Sequence, residues 1–212
     1  MEFGSWKTGI VCALILSTAF VCRADIIYSF SIFNDPGWAS DNRLNFTVAI
    51  SDEGQNKVGF LFQNASSINS TIAAIYFDCS GLLQSEGTIT SNSGVSFSVG
   101  ASPKSLPAGN ELTPAFPKTP FFAADADSPA PQNGINRDEW LKITFNLNKG
   151  KKFDSVIELF NAGSSRIGIH IQALPDGSSV SAINKTTPIT VPEPATIALL
   201  ALGSIVLFRK TK

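Results

Sequence analysis

Leu44-Asn45-Phe46-Thr47-Val48-Ala49-Ile50 decides how this chain is read. Successive side chains of a strand point to opposite faces, so Leu44, Phe46, Val48 and Ile50 share one face, and Asn45, Thr47 and Ala49 take the other. A strand with one apolar and one wetter face suits an antiparallel sheet that packs on a core from one side. The same alternation recurs at residues 140–147, where Leu141, Ile143, Phe145 and Leu147 oppose Trp140, Lys142, Thr144 and Asn146. Working outward, residues 26–33, 58–63, 71–79, 87–90, 95–99 and 166–173 form further short apolar runs, parted by Gly, Pro and Asn, and a last strand begins at Val180. Many short strands with turn residues between them predict an all-β fold, an antiparallel β-sandwich of jelly-roll-like kind. No internal repeat of 20 to 50 residues occurs, which removes solenoids and propellers.

Two stretches depart from strand. Residues 154–163 open on Asp154, a capping residue, space Val156, Leu159 and Phe160 helically, and end on Gly163, which predicts one short helix. Residues 102–137 carry Pro103, Pro107, Pro114, Pro117, Pro120, Pro129 and Pro131. Proline cannot donate to a ladder, so this segment is expected to be a long loop held to the surface by Phe116, Phe121 and Phe122.

The chain has 212 residues and a formal charge of −1. Between Asp25 and Val191 the count is 11 Lys+Arg against 15 Asp+Glu, a mildly acidic body without a basic stripe, which argues against nucleic acid as a partner. At the N-terminus, Lys7 precedes the apolar run Gly9-Ile10-Val11-Cys12-Ala13-Leu14-Ile15-Leu16-Ser17-Thr18-Ala19-Phe20, and Cys22-Arg23-Ala24 places small residues where a signal peptidase needs them. Residues 1–24 therefore read as a secretory signal peptide handed to the Sec translocon and cleaved between Ala24 and Asp25; an uncleaved N-terminal anchor is the alternative. Cleavage leaves Cys79 as the one cysteine of the body, so no internal disulfide is expected, and its place at the end of an apolar run predicts a buried thiol. One thiol and one histidine cannot build a cysteine-type zinc site.

The C-terminus divides into three parts: Val191-Pro192-Glu193-Pro194, an uncharged run at residues 195–208, and the basic close Arg209-Lys210-Thr211-Lys212. Fourteen helical residues at ~1.5 Å each span about 21 Å, short of a ~30 Å hydrocarbon core. Terminal position, all-round apolarity and the basic close nevertheless favour a transmembrane helix over one docked on the body. Pro192 and Pro194 hold Glu193 in extended backbone, where an enzyme can grip it. These parts, in this order, resemble the PEP-CTERM sorting signal of Gram-negative bacteria. The resemblance implies recognition of Pro192, Glu193, Pro194, Arg209 and Lys210 by an exosortase. It also implies a transient inner-membrane anchor, removal of the tail, and delivery to the cell surface or to an extracellular, biofilm-type exopolysaccharide matrix. Residues 133–141, the short helix and residues 166–172 are similar to segments that recur in uncharacterised proteins carrying that signal. This second resemblance spans residues 95–185 and implies one compact domain but no chemistry. The expected organisation is signal peptide at 1–24, β-sandwich at 25–183, linker at 184–190 and sorting segment at 191–212.

Chemistry is sparse between the ends. His170 is the only histidine, and alternation sets it with Arg166, Gly168 and Gln172 on the face opposite Ile167, Ile169 and Ile171. It is a candidate to line a groove, against the plainer reading of a structural histidine. Gly163-Ser164-Ser165-Arg166-Ile167 fails the nucleophile-elbow pattern at its last position. Asp125, Asp127, Asp138 and Glu139, with Asn133 and Asn136, are oxygen donors for Ca²⁺, but their spacing is not that of an EF-hand loop. Trp38 and Tyr28 are candidate platforms for stacking a sugar ring, whereas Trp140 is expected in the core. Asn45, Asn64, Asn69 and Asn184 head Asn-x-Ser/Thr triplets, chance products of the composition in a bacterial chain. The leading expectation is a non-enzymatic structural or glycan-binding role without a cofactor. A polysaccharide-active enzyme using the loop carboxylates is the alternative.

Overall fold

The computed structural model describes residues 25–79 and 81–189. Ten antiparallel strands form one ladder: β1 (Ile26–Ile32), β2 (Phe46–Gly54), β3 (Lys57–Asn64), β4 (Thr71–Asp78), β5 (Leu83–Ser91), β6 (Phe97–Val99), β7 (Phe122–Ala126), β8 (Trp140–Leu147), β9 (Arg166–Gln172) and β10 (Val180–Asn184). Their order is β5-β8-β3-β2-β1-β10-β9-β4-β7-β6. β1 joins the two halves. Ile26, Ile27, Tyr28 and Ser29 pair with β2, while Phe30, Ser31 and Ile32 pair with β10.

The ladder curls on itself because each half has one apolar face to hide. Phe77 of β4 packs edge-on against Phe60 of β3 at 5.1 Å and Phe145 of β8 at 5.2 Å, although β4 lies far from both in strand order. Phe122 of β7 meets Phe145 of β8 at 4.9 Å, which brings the two ends of the ladder close and makes the sheet nearly closed and barrel-like. Edge-to-face geometry sets the positive ring edge on the negative ring face, so such pairs contribute beyond their buried area. Phe160 extends the cluster to Tyr28. It lies on α3 (Phe153–Asn161), the helix between β8 and β9.

The residues of the alternating stretches fall as expected. Phe46, Val48 and Ile50 are buried, as are Leu141, Ile143, Phe145 and Leu147. Trp140 departs from expectation: it begins β8 on the outward face and stays half-buried rather than joining the core. α3 starts one residue early, with Lys152 at its N-cap and no side-chain cap, so Asp154 serves the first turn instead of capping it. Gly163, at φ 69°, ends the turn after it. One-turn helices α1 (Pro36–Ala39) and α2 (Ala130–Asn133) add to the single helix expected.

The proline-rich segment holds the largest surprise. It contains β7, whose Phe122, Ala124 and Ala126 alternate into the core between β4 and β6. The remainder folds over the outer face of β4 and β9 as a second small core of Leu106 and Phe116 on Ala74 and Tyr76. Arg166 clamps it. Its guanidinium donates to Asp78, to the Pro114 carbonyl at 2.7 Å and to the Ala115 carbonyl at 3.0 Å, and it lies 5.3 Å from the centre of the Phe116 ring. Gly168 makes room for the layer, since a Cβ there would stand 2.5 Å from Leu106 Cδ2.

Phe77 joins both halves of the sheet, so truncation opens a cavity the aromatic cluster cannot collapse into. Phe77→Ala is expected to cost about 3–5 kcal/mol in denaturant unfolding, with an unchanged slope.

Candidate functional site

Strand register gives the body two distinct ends. The connections β1–β2, β3–β4, β7–β8 and β9–β10 all gather at one end. The β2–β3 hairpin, the segment leading to β5, and the β8–β9 connection with α3 lie at the other.

Trp38 sits at the first end. The Asp35 carboxylate caps α1 by accepting from the N–H groups of Gly37 and Trp38, so a single turn is held in place. The indole Nε1 donates to Asp176 of the β9–β10 connection at 3.2 Å, and the ring is half-buried against the edge of the core. At the same end of the ladder, a recess of about 320 Å³ is lined by Asn69, Ser70, Thr71, Pro131, Asn136, Arg137 and Ala173. Thr71 donates to Asn136 Oδ1 at 2.6 Å across it.

Tyr28 offers no face to a ligand. Its ring is fully buried beside Phe160, and its hydroxyl donates to Asn161 Oδ1 at 2.9 Å. Period-two alternation puts Tyr28 on the inward face of β1, which sequence cannot tell from the outward one when Ile26, Ile27 and Phe30 flank it.

His170 belongs to a row running across the outer face of one half-sheet. Register aligns Ser181, His170, Ala74, Asp125 and Ser98 on β10, β9, β4, β7 and β6. The Ser181 hydroxyl lies 3.5 Å from His170 Nδ1, and His170 is nine-tenths buried rather than lining an open groove. The proline-rich layer covers this face, as no local pattern around His170 reveals. Burial holds its imidazole below the ordinary value, while the Val180 carbonyl and the Asp125 charge pull the other way.

The loop carboxylates are each engaged where they stand. Asp127 accepts from the Ser96 and Ser98 hydroxyls, which hold its carboxyl below the usual range. Asp125 accepts from the Ser102 N–H, and Glu139 from the Asn136 N–H. Asp138, at a left-handed φ of 64°, pairs with Arg137 at the surface. Among the described residues no three His, Cys, Asp or Glu side chains gather as a metal site. Cys79 is buried, with its thiol pushed up by burial and directed at the Arg166 carbonyl. Asn64 and Asn184 are buried too: Asn64 bridges Ser70 and Ile135, and Asn184 Oδ1 accepts from the Ile167 N–H. Arg166 and these two asparagines carry the architecture, and lone polar residues in strands give no sequence signal for it.

The last described residues run toward the second end. Lys185 N–H donates to the Ser29 carbonyl at 2.9 Å and Ile189 N–H to the Ile27 carbonyl at 2.6 Å. The stretch expected as a free linker therefore runs along β1. Ala24 at the proposed cleavage site, the uncharged run 195–208, and Pro192, Glu193, Pro194, Arg209 and Lys210 lie outside the described residues, within which no helix is long and apolar enough to cross a membrane. Asp25, the first described residue, is exposed at the start of β1. Residues 190–212 match the family model of the PEP-CTERM protein-sorting motif. The PEP-CTERM motif marks an exported protein with an exosortase as its processing partner, made as a membrane-anchored precursor and destined for the surface. No curated protein and no solved structure matches the chain.

Burial favours the neutral form of His170 in the folded body, so this contribution to stability is fully present above the ordinary value of 6.5. As pH falls below that value the unfolded chain takes up a proton more readily than the folded chain does, and stability declines, by at most about 1.4 kcal/mol per pH unit, until the folded chain protonates too. Denaturant titrations between pH 7 and pH 5 should show this slope, and His170→Gln should flatten it.

Proposed function

We propose that this protein is a non-enzymatic surface or exopolysaccharide-matrix component that binds glycan through the loop end carrying Trp38. One observation carries the reading: Trp38 is held half-exposed at the end of the body opposite the exit toward the PEP-CTERM motif. In the anchored precursor that end faces away from the bilayer. After release it remains the end that carries an aromatic ring and a polar recess lined in part by Arg137.

An indole held by Asp176 and the Asp35 cap pays little entropy on stacking against a pyranose face. The recess at the same end supplies amide and hydroxyl groups from Asn69, Ser70 and Thr71. Local engagement of Asp125, Asp127 and Glu139 favours binding over hydrolysis, which needs two carboxylates free to act on one bond. We read the two half-sheets hinged on β1 as a flattened, jelly-roll-like sandwich, a rigid support for such loops. The host we infer is a Gram-negative bacterium, with the signal peptide at 1–24 delivering the chain to the Sec translocon.

On a glycan array the body is expected to retain at least one ligand, with Trp38→Ala weakening it about tenfold; no binding to any glycan would remove this reading. Replacing Pro192, Glu193 and Pro194 by Ala should block tail removal in a strain with an exosortase, seen as full-length mass in the membrane fraction. Unchanged processing would show that these residues are not the signal.

A further inference from the structure

The connections gathered at the Trp38 end carry an unbalanced charge. Residues 33–45 contribute Asp35, Asp41 and Arg43, residues 127–139 contribute Asp127, Arg137, Asp138 and Glu139, and residues 173–179 contribute Asp176. Residues 65–70, between β3 and β4, carry no charge. Six carboxylates therefore stand against two guanidiniums, and each guanidinium is engaged by a neighbour: Arg43 holds Asp41 at 2.6 Å, and Arg137 lies 3.3 Å from Asp138. This surplus of acid is as large as that of the whole body, where 11 Lys+Arg meet 15 Asp+Glu between Asp25 and Val191.

Two of these carboxylates flank the half-exposed indole. Asp35 Oδ1 accepts from the Trp38 N–H at 3.2 Å, and Asp176 Oδ2 accepts from the indole Nε1 at 3.2 Å. Neither has an ion-pair partner among the described residues. Asp176 is exposed, and its second oxygen accepts from the Ser178 N–H at 2.9 Å. Hydrogen bonds from Ser178 and from the indole hold its carboxyl below the usual range, so it stays charged in mildly acidic solution. A carboxylate oxygen has lone pairs for more than one donor, so both groups can still accept from a ligand. The face of the indole is itself the negative side of the ring quadrupole and attracts a cation. A neutral pyranose would use only the flatness of the ring, and a uronate would be repelled. A pyranose bearing an ammonium group would use the ring, its negative face and the carboxylates together.

We propose that the Trp38 end selects glycans whose sugar rings carry free amines, stacking a ring on Trp38 and drawing its ammonium to Asp35 and Asp176. The proposal rests on the reading of that end as a glycan-binding site and names the class of glycan. An exposed carboxylate–ammonium contact contributes up to about fivefold to affinity, so the two together favour an amine over its acetamide by about tenfold. The wider surplus of carboxylates steers a cationic chain toward this end, an effect that salt screens beyond ~10 Å. A basic peptide shares the charge but offers the indole no flat sugar face.

The test titrates the full chain, in uncharged detergent micelles at pH 6, with hexamers of β-1,4- and β-1,6-linked glucosamine and with their N-acetylated counterparts. At least one glucosamine hexamer is expected to bind about tenfold more tightly than its acetylated counterpart, with the preference lost in 0.5 M salt. Asp35→Asn and Asp176→Asn should each narrow the preference to about threefold; asparagine still accepts a backbone N–H and is itself a favoured helix cap, so the loop is retained. Glu86→Gln, which removes the same charge from exposed β5, should leave the preference unchanged. Equal affinity for a hexamer and its acetylated counterpart would overturn the cationic ligand and leave the glycan reading standing. Binding of none of the four would overturn both. Equal narrowing by Glu86→Gln would assign the preference to net charge and overturn the site. Oligolysine binding as tightly as glucosamine, and insensitive to Trp38→Ala, would reassign the end to a basic peptide.

Discussion

The contact of Phe77 with Phe60, Phe62, Phe122 and Phe145 is the constraint on which the architecture rests. A ten-stranded antiparallel ladder has one apolar face too wide to hide behind a single short helix, and the available solution is to fold the ladder over so that its halves hide each other. Phe77 stands where the halves meet. β1 makes the fold-over possible by pairing with β2 through its first residues and with β10 through its last. α3 then closes one end, with Phe160 bridging Phe60 and Tyr28.

Once the ladder is curled, register alone dictates the polarity of the body. Trp38, Asp176 and the polar recess fall at one end because every connection between strands running that way ends there. The β2–β3 hairpin and the β8–β9 connection with α3 fall at the other. The proline-rich layer adds a second constraint at the side. Arg166 satisfies two carbonyls of that layer and one carboxylate at once, so a segment with few ladder bonds of its own is still fixed. Its cover explains why His170 is buried and its neutral form favoured, and why a lone histidine on a polar strand face is structural in this protein.

How much was legible in the chain differs by element. Strands with strong alternation, such as those around Phe46 and Leu141, could be read because burial of one face imposes a period of two. β7 could not, since Phe122-Ala123-Ala124-Asp125-Ala126 has weak strand preference and is recruited by neighbours β4 and β6 that lie far away in sequence. Trp140 and Tyr28 show the same limit for single residues. Alternation says that two side chains face opposite ways, but which way is inward depends on what packs there.

By itself the sequence determined the address and the mostly-β, antiparallel character of the body, but not how the sheet curls. A sorting motif is read by its enzyme as a linear string, so the match at residues 190–212 needs no folded context, and short alternating runs admit few architectures. Only the tertiary structure decided which candidates share a surface: it buried Tyr28 and His170, kept Trp38 at a loop end, and set Asp176 beside it. Those outcomes depend on register and curl, which arise from contacts between strands that no local window of sequence contains.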